Sequence, residues 1–290
     1  MSDQGMRERV IVERAPAKLN LALHVRRRRD DGYHDLETLF VFARDGDSVS
    51  VAVGAPSLTI TGPFAAGLDA GADNLVARAE HAFRARFGVT AGHAITLDKH
   101  LPVASGIGGG SADAAATLRA LATIYDIAYD DARLIDIAAA LGADVPACLL
   151  GRAAFGDGKG DALTTIPGLR DMPVLLVNPG VPVSTAAVFA RWDRVDRGAL
   201  RKGAALGDDG TLAWALAGRN DLQPPAEQLA PVIADLLALL AQQAGVRLAR
   251  MSGSGATCFA LFDDEAARNA AARAVAAAHP AWWRLETAIK

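Results

Sequence analysis

Polar and apolar residues alternate through residues 18–25, KLNLALHV. Leu19, Leu21, Leu23 and Val25 share one face of a predicted strand, and Lys18 and Asn20 lie on the other. Apolar runs at 36–43, 47–53 and 57–61, separated by Gly, Asp or Pro, predict three further strands. The period then changes: over residues 73–87, Leu75, Ala79, Ala82 and Phe83 recur at helical spacing, and Gly88 marks the stop. A strand at 93–98 and helices at 111–125 and 131–141 follow. In the second half, 173–178 and 256–262 are strand-like, while 227–242 and 264–278 are helical. Strands and helices do not alternate strictly, so the pattern predicts an α+β fold and not a doubly wound parallel sheet. A chain of 290 residues supplies two domains of this kind. The glycine-rich stretch 156–161 is the most linker-like, which puts the division at 1–157 and 158–290. Residues 195–210 are polar and irregular and read as a surface insertion.

Composition narrows the class. Hydrophobic residues make up 51%, with alanine prominent, and the formal net charge of −3 argues against a protein that coats nucleic acid. Cys148 and Cys258 sit far apart in apolar surroundings and read as buried thiols in a reducing compartment. The first ten residues lack the apolar segment of a signal peptide, and no apolar run reaches the roughly 18 residues that span a membrane. A soluble, cytoplasmic protein is expected. The four arginines from Arg26 to Arg29 are followed at once by Asp30 and Asp31, so they read as a solvated hairpin and not as a nucleic-acid or lipid patch.

Residues 106–116, GIGGGSADAAA, place four glycines in five positions directly before alanines, the best helix formers. A helix N-terminus carries unpaired N–H groups and partial positive charge, and glycines let backbone approach an anion closely. Together they make a phosphate cradle. No lysine follows Gly110, which excludes a P-loop, and Ser111 stands where a dinucleotide fingerprint needs glycine. The bland alternative is a turn with Ser111 as an ordinary N-cap.

The loop formed by Pro102, Val103, Ala104, Ser105, Gly106, Ile107, Gly108, Gly109, Gly110, Ser111 and Ala112 resembles the glycine-rich loop of the GHMP kinases. That superfamily includes galactokinase, homoserine kinase and mevalonate kinase. Four more blocks match in the family's order: APAKLNL at 15–21, DGYH at 31–34, LGADVP at 141–146 and MSGSGAT at 251–257. The resemblance implies a two-domain α+β fold with a ribosomal-protein-like N-terminal domain and an active site in the cleft. It implies ATP-dependent phosphorylation of the 2-hydroxyl of a methylerythritol unit carried on cytidine diphosphate, in non-mevalonate isoprenoid synthesis.

By the same resemblance Lys18 and Asp144 are catalytic, as ammonium and as receiver of the hydroxyl proton. Tyr33, His34 and Phe189 hold the cytosine, and Asn20 and Thr185 touch the substrate. The loop from Pro102 to Ala112 wraps the ATP phosphates, while Asn74 and Lys99 lie near the adenine and ribose. Read bare, Lys18 is a solvent-facing strand position, and Asp144 and Asn74 are helix N-caps. Phe189 is a core side chain, and Asp31-Gly32 is a turn. Mg²⁺ accompanies ATP on charge grounds, with its protein ligands unassigned, since glycines stand at 109 and 110 where many relatives carry serines. The expected partner is the small-molecule substrate, with no nucleic acid and no membrane, for a monomer or weak homodimer. Open alternatives are a sibling kinase for homoserine or mevalonate, the decarboxylase branch, and a non-catalytic nucleotide- or RNA-binding module.

Overall fold

The computed structural model describes residues 9–200 and 210–290, so the first eight residues and part of the expected surface insertion lie outside the described residues. The described residues form two compact units, each built from several stretches: residues 9–17, 45–103 and 108–151 in one, residues 18–44, 104–107, 152–200 and 210–290 in the other. Strands β1 (Ile11–Arg28) and β2 (His34–Val53) run from one unit into the other. The two strands expected at 36–43 and 47–53 are therefore one. Gly46 is the reason: a Cβ there would lie 2.1 Å from the carbonyl oxygen of Ala15 and 2.7 Å from Cα of Pro16, so glycine alone lets the strand continue past them.

In the first unit the end of β2 pairs antiparallel with β4 (His93–Asp98), and β4 pairs parallel with β3 (Ser57–Thr61). Four helices complete it: α1 (Leu75–Phe87), α2 (Gly109–Ile124), α3 (Ala132–Leu141) and α4 (Val145–Leu150). The alanines of α2 are buried, and small side chains let α1 and α4 pack close against it. The helix starts at Gly109, two residues before the expected Ser111, because Gly108 turns the chain at φ +64° as its N-cap.

The second unit is organised on a four-stranded antiparallel sheet in the order β10-β7-β9-β8, with β7 (Pro173–Asn178), β8 (Val246–Met251), β9 (Cys258–Phe262) and β10 (Trp283–Ala288). Helices α8 (Val232–Ala241) and α9 (Glu265–Ala278) pack on it through Ile233, Leu236, Leu240 and Val275, against Leu175, Val177 and Phe262. Helix α7 (Gln223–Leu229) precedes α8. One helix was expected over 227–242. Pro231 splits it by driving Ala230 out of helical geometry, to φ −139° and ψ 84°. The stretch read as a linker, 156–161, is the end of β5 (Ala154–Asp157) and the hairpin turn that joins it to β6 (Ala162–Thr165), with Gly158 and Gly160 at positive φ. Helices α5 (Thr185–Arg191) and α6 (Gly210–Ala217) complete the described elements.

No disulfide joins Cys148 and Cys258, and both are buried. Among the described residues no helix is long and apolar enough to cross a membrane. The arginine run is a charged hairpin edge: Arg26 pairs with Glu37 and Asp196, Arg27 with Asp35, and Arg29 with Asp31 and Asp35.

Candidate active site

The glycine loop is held at close quarters. In the second unit, Gly106 has φ +78°, and a Cβ on it would meet the carbonyl oxygen of Ser252 at 2.5 Å and backbone of Gly255 at 2.8 Å. Ser252 Oγ donates to Gly106 O at 3.0 Å, and the backbone N of Thr257 donates to Ser105 O at 3.1 Å. The backbone N of Lys18 donates to Ile107 O at 2.9 Å. The second glycine-rich segment, 252–256, thus backs the first. Ala104 holds φ +51°, a left-handed conformation that costs a residue with a Cβ and that concentrates at functional sites.

Gly106→Ala is expected to lower the melting temperature, through both the positive φ and the backbone clash. Gly110→Ala serves as the contrast. Its Cβ would meet only Leu75 Cδ1, at 3.4 Å in a helical position, and its melting temperature should stay near wild type.

In the first unit the loop ends in α2, whose N-cap Gly108 offers no side chain to the helix N–H groups. Beneath it lies a buried ion cluster. Lys99 Nζ donates to Asp113 Oδ2 at 2.6 Å and to Asp47. Asp47 Oδ1 also accepts from the backbone N of His100 at 2.5 Å and of Leu101 at 2.7 Å. A Cβ on Gly109 would lie 3.0 Å from Lys99 Nζ. Lys99 is therefore committed to two carboxylates under the loop. Asn74 caps α1, accepting from Val76 N at 2.9 Å and donating to Asp69 O at 2.8 Å.

Lys18, expected on a solvent-facing strand position in the bare reading, is 3% exposed. Its ammonium lies 4.9 Å from the centre of the Phe40 ring. Asn20 is buried on the same face: Nδ2 donates to Thr38 Oγ1 at 2.8 Å, its backbone N donates to Ser252 Oγ at 3.2 Å, and Oδ1 is a buried acceptor without a partner. Asp144, in the first unit, is the N-cap of α4. Its carboxylate makes no capping hydrogen bond, and Pro146 in the first turn removes one N–H it would have capped.

Tyr33 and His34 leave the turn between β1 and β2. Gly32 at φ +85° and Asp31, whose carboxylate accepts from Tyr33 N, shape that turn. Tyr33 is 57% exposed, with Lys159 Nζ 4.9 Å over its ring. His34 stacks on Phe189 at 4.6 Å between ring centres and 22° between planes, with Trp192 edge-on at 5.7 Å. Burial, then the positive charge of Arg28, lowers the His34 pKa, which keeps the imidazole neutral at pH 7. Thr185 Oγ1 hydrogen-bonds Ser254 Oγ at 2.8 Å.

The chain as a whole has relatives of known family. The model of the GHMP kinases N terminal domain matches residues 74–152, and that of GHMP kinases C terminal matches 198–281. A 4-diphosphocytidyl-2-C-methyl-D-erythritol kinase of Rhizorhabdus wittichii is 57% identical over 282 residues, spanning 96% of this chain and 94% of its own. The chain belongs to the GHMP kinase family. A second kinase of the same name, from Sphingopyxis alaskensis, is 50% identical over 94% of this chain and 96% of its own. The crystal structure of a 4-(cytidine 5'-diphospho)-2C-methyl-D-erythritol kinase shares 34% identity at a TM-score of 0.75, over 96% of this chain and 99% of that one. A homoserine kinase from Cytophaga hutchinsonii, 19% identical with a TM-score of 0.71 over 97% of this chain and 95% of that one, shares the fold. The two-domain α+β GHMP kinase fold and phosphotransferase class follow from this membership.

In this GHMP kinase, sequence reasoning missed Ser252 as the link between Asn20 and Gly106, and Lys159 against Tyr33. It also missed Asp47 and Asp113. The available signal was Asp113 itself, a carboxylate in an alanine-rich helix.

Proposed function

We propose that the chain transfers the γ-phosphoryl group of ATP to the 2-hydroxyl of 4-diphosphocytidyl-2-C-methyl-D-erythritol. The stack of His34 on Phe189 next to exposed Tyr33 carries this reading, because a kinase for a base-free alcohol has no use for an aromatic group there. Tyr33 stacks on the cytosine, neutral His34 reads its edge, and Phe189 backs the imidazole. Asn20 Oδ1 accepts from a substrate hydroxyl, and Thr185, hydrogen-bonded to Ser254, also touches the substrate. The loop from Pro102 to Ala112 takes the ATP phosphates, with Asn74 and Lys99 fixing its surroundings.

The acceptor hydroxyl passes its proton to Asp144 as its oxygen bonds to the γ-phosphorus, the bond to the bridging oxygen breaks, and ADP leaves. The Lys18 ammonium stabilises the alkoxide and the charge on the moving phosphoryl. Among the described residues no group of three His, Cys, Asp or Glu is placed to hold a metal, so Mg²⁺ would arrive on the phosphates, where it offsets their charge. The enzyme is proposed to work in the cytoplasm as a monomer or weak homodimer, without nucleic-acid or membrane partners.

The test is binding of cytidine diphosphate to wild type and three variants. Tyr33→Ala should weaken it by about 1–3 kcal/mol, the usual worth of base stacking, and Tyr33→Phe by much less. His34→Ala should weaken it while leaving ATP affinity unchanged. Equal affinity for all four proteins would make this segment a plain turn and remove the substrate assignment.

A further inference from the structure

We propose that Asp113, acting through Lys99 and Asp47, is a positioning residue that makes the glycine loop's hold on nucleotide phosphates depend on pH, a reading that rests on the phosphate role proposed for the loop. Two carboxylates share one ammonium here, all three side chains buried: Lys99 Nζ reaches Asp113 Oδ2 at 2.6 Å and also reaches Asp47. The cluster holds the chain just before the loop and lies close to the loop's far end. Asp47 accepts from the backbone of His100 and Leu101, just before Pro102, and Lys99 Nζ sits 3.0 Å from where a Cβ on Gly109 would stand, at the start of α2. Asp113 Oδ1 is buried without a hydrogen-bond partner, so its ionised form is costly.

The groups facing Asp113 are Lys99, from the chain after β4, and Asp47, from β2. Charges on the helices packed against α2 have partners of their own. On α1, Glu80 binds His93, Arg84 binds the carbonyls of Val89 and Thr90, and Arg86 pairs with Asp136 of α3; on α2, Arg119 binds Glu13; on α3, Arg133 pairs with Asp131; α4 carries no charged residue. Burial raises the Asp113 pKa to about 7, Lys99 opposing and Asp47 adding to the shift. Below that pH the cluster is neutral, one ammonium against one carboxylate. Above it the cluster carries a net negative charge directly under the helix start that is to receive phosphate, in surroundings where charge is poorly screened. Nucleotide affinity then falls as pH rises.

The same shift sets the sign for stability. The native state holds the Asp113 proton where the unfolded chain has lost it, so this group's contribution falls as pH rises from about 4 to about 7.

The experiment measures Kd for a non-hydrolysable ATP analogue from about pH 6 to about pH 8 on wild type, Asp113→Asn and Asp113→Ala, with melting temperatures over the same range. Wild-type affinity should fall about three- to tenfold more steeply than that of Asp113→Asn, which keeps the shape and the hydrogen bond but cannot ionise. The analogue's own phosphate titrates equally in both proteins and cancels. Asp113→Ala should bind weakly at every pH, and the Asn variant should restore the low-pH wild-type affinity. Parallel pH profiles for wild type and Asp113→Asn would overturn this proposal alone. Absence of nucleotide binding by wild type at every pH would overturn it together with the phosphate assignment.

Discussion

Asp144→Asn should bind ATP and the diphosphocytidyl alcohol almost as wild type does and lose turnover by on the order of a hundredfold or more. Asp144 sits in helical geometry, φ −85° and ψ −16°, at the front of α4. Asn keeps the shape of the side chain but cannot receive the hydroxyl proton. Loss should appear in kcat with KM for both substrates little changed, the mark of an interaction made in the transition state. A kcat within about threefold of wild type would remove Asp144 from the mechanism.

Lys18→Met is expected to reduce turnover by about two to three orders of magnitude, the range for removing a preorganised charge stabiliser. Methionine is the informative choice because the lysine stem is buried near Phe40, and an apolar near-isostere keeps that packing while deleting the ammonium. The melting temperature should remain near wild type. Lys18→Arg restores charge with a planar fork in place of a compact ammonium, so it should recover only part of the rate. Wild-type kcat in Lys18→Met would reduce Lys18 to a core side chain.

Much of the fold was legible because hydrophobic periodicity maps directly onto faces. The strand 57–61 and the helix ending at Gly88 lie where the pattern put them. Misreadings came from effects the period does not carry. Gly46 looks like a break, yet it is what lets β2 pass Ala15 unbroken. Glycines at 158 and 160 look like a linker, yet they turn a hairpin whose strands are too short to alternate visibly. Pro231 lies inside an apolar helical pattern that it interrupts. At the site, the glycine loop announced itself because its chemistry is local. Its supports did not: Ser252 lies 146 residues from Gly106, and Asp47 lies 52 from Lys99, and only folding brings such partners together. The burial of Lys18 was hidden likewise, since alternation marks the polar face of a strand without saying what covers it.

The central claim, that this enzyme phosphorylates an alcohol carrying a cytidine diphosphate, is tested most directly by ADP release in a coupled assay with three acceptors: the diphosphocytidyl methylerythritol, mevalonate and homoserine. ATP-dependent turnover is expected with the first acceptor and background rates with the other two. Turnover of mevalonate or homoserine at a rate equal to or above that of the cytidine compound, or no phosphorylation of the cytidine compound, would contradict it.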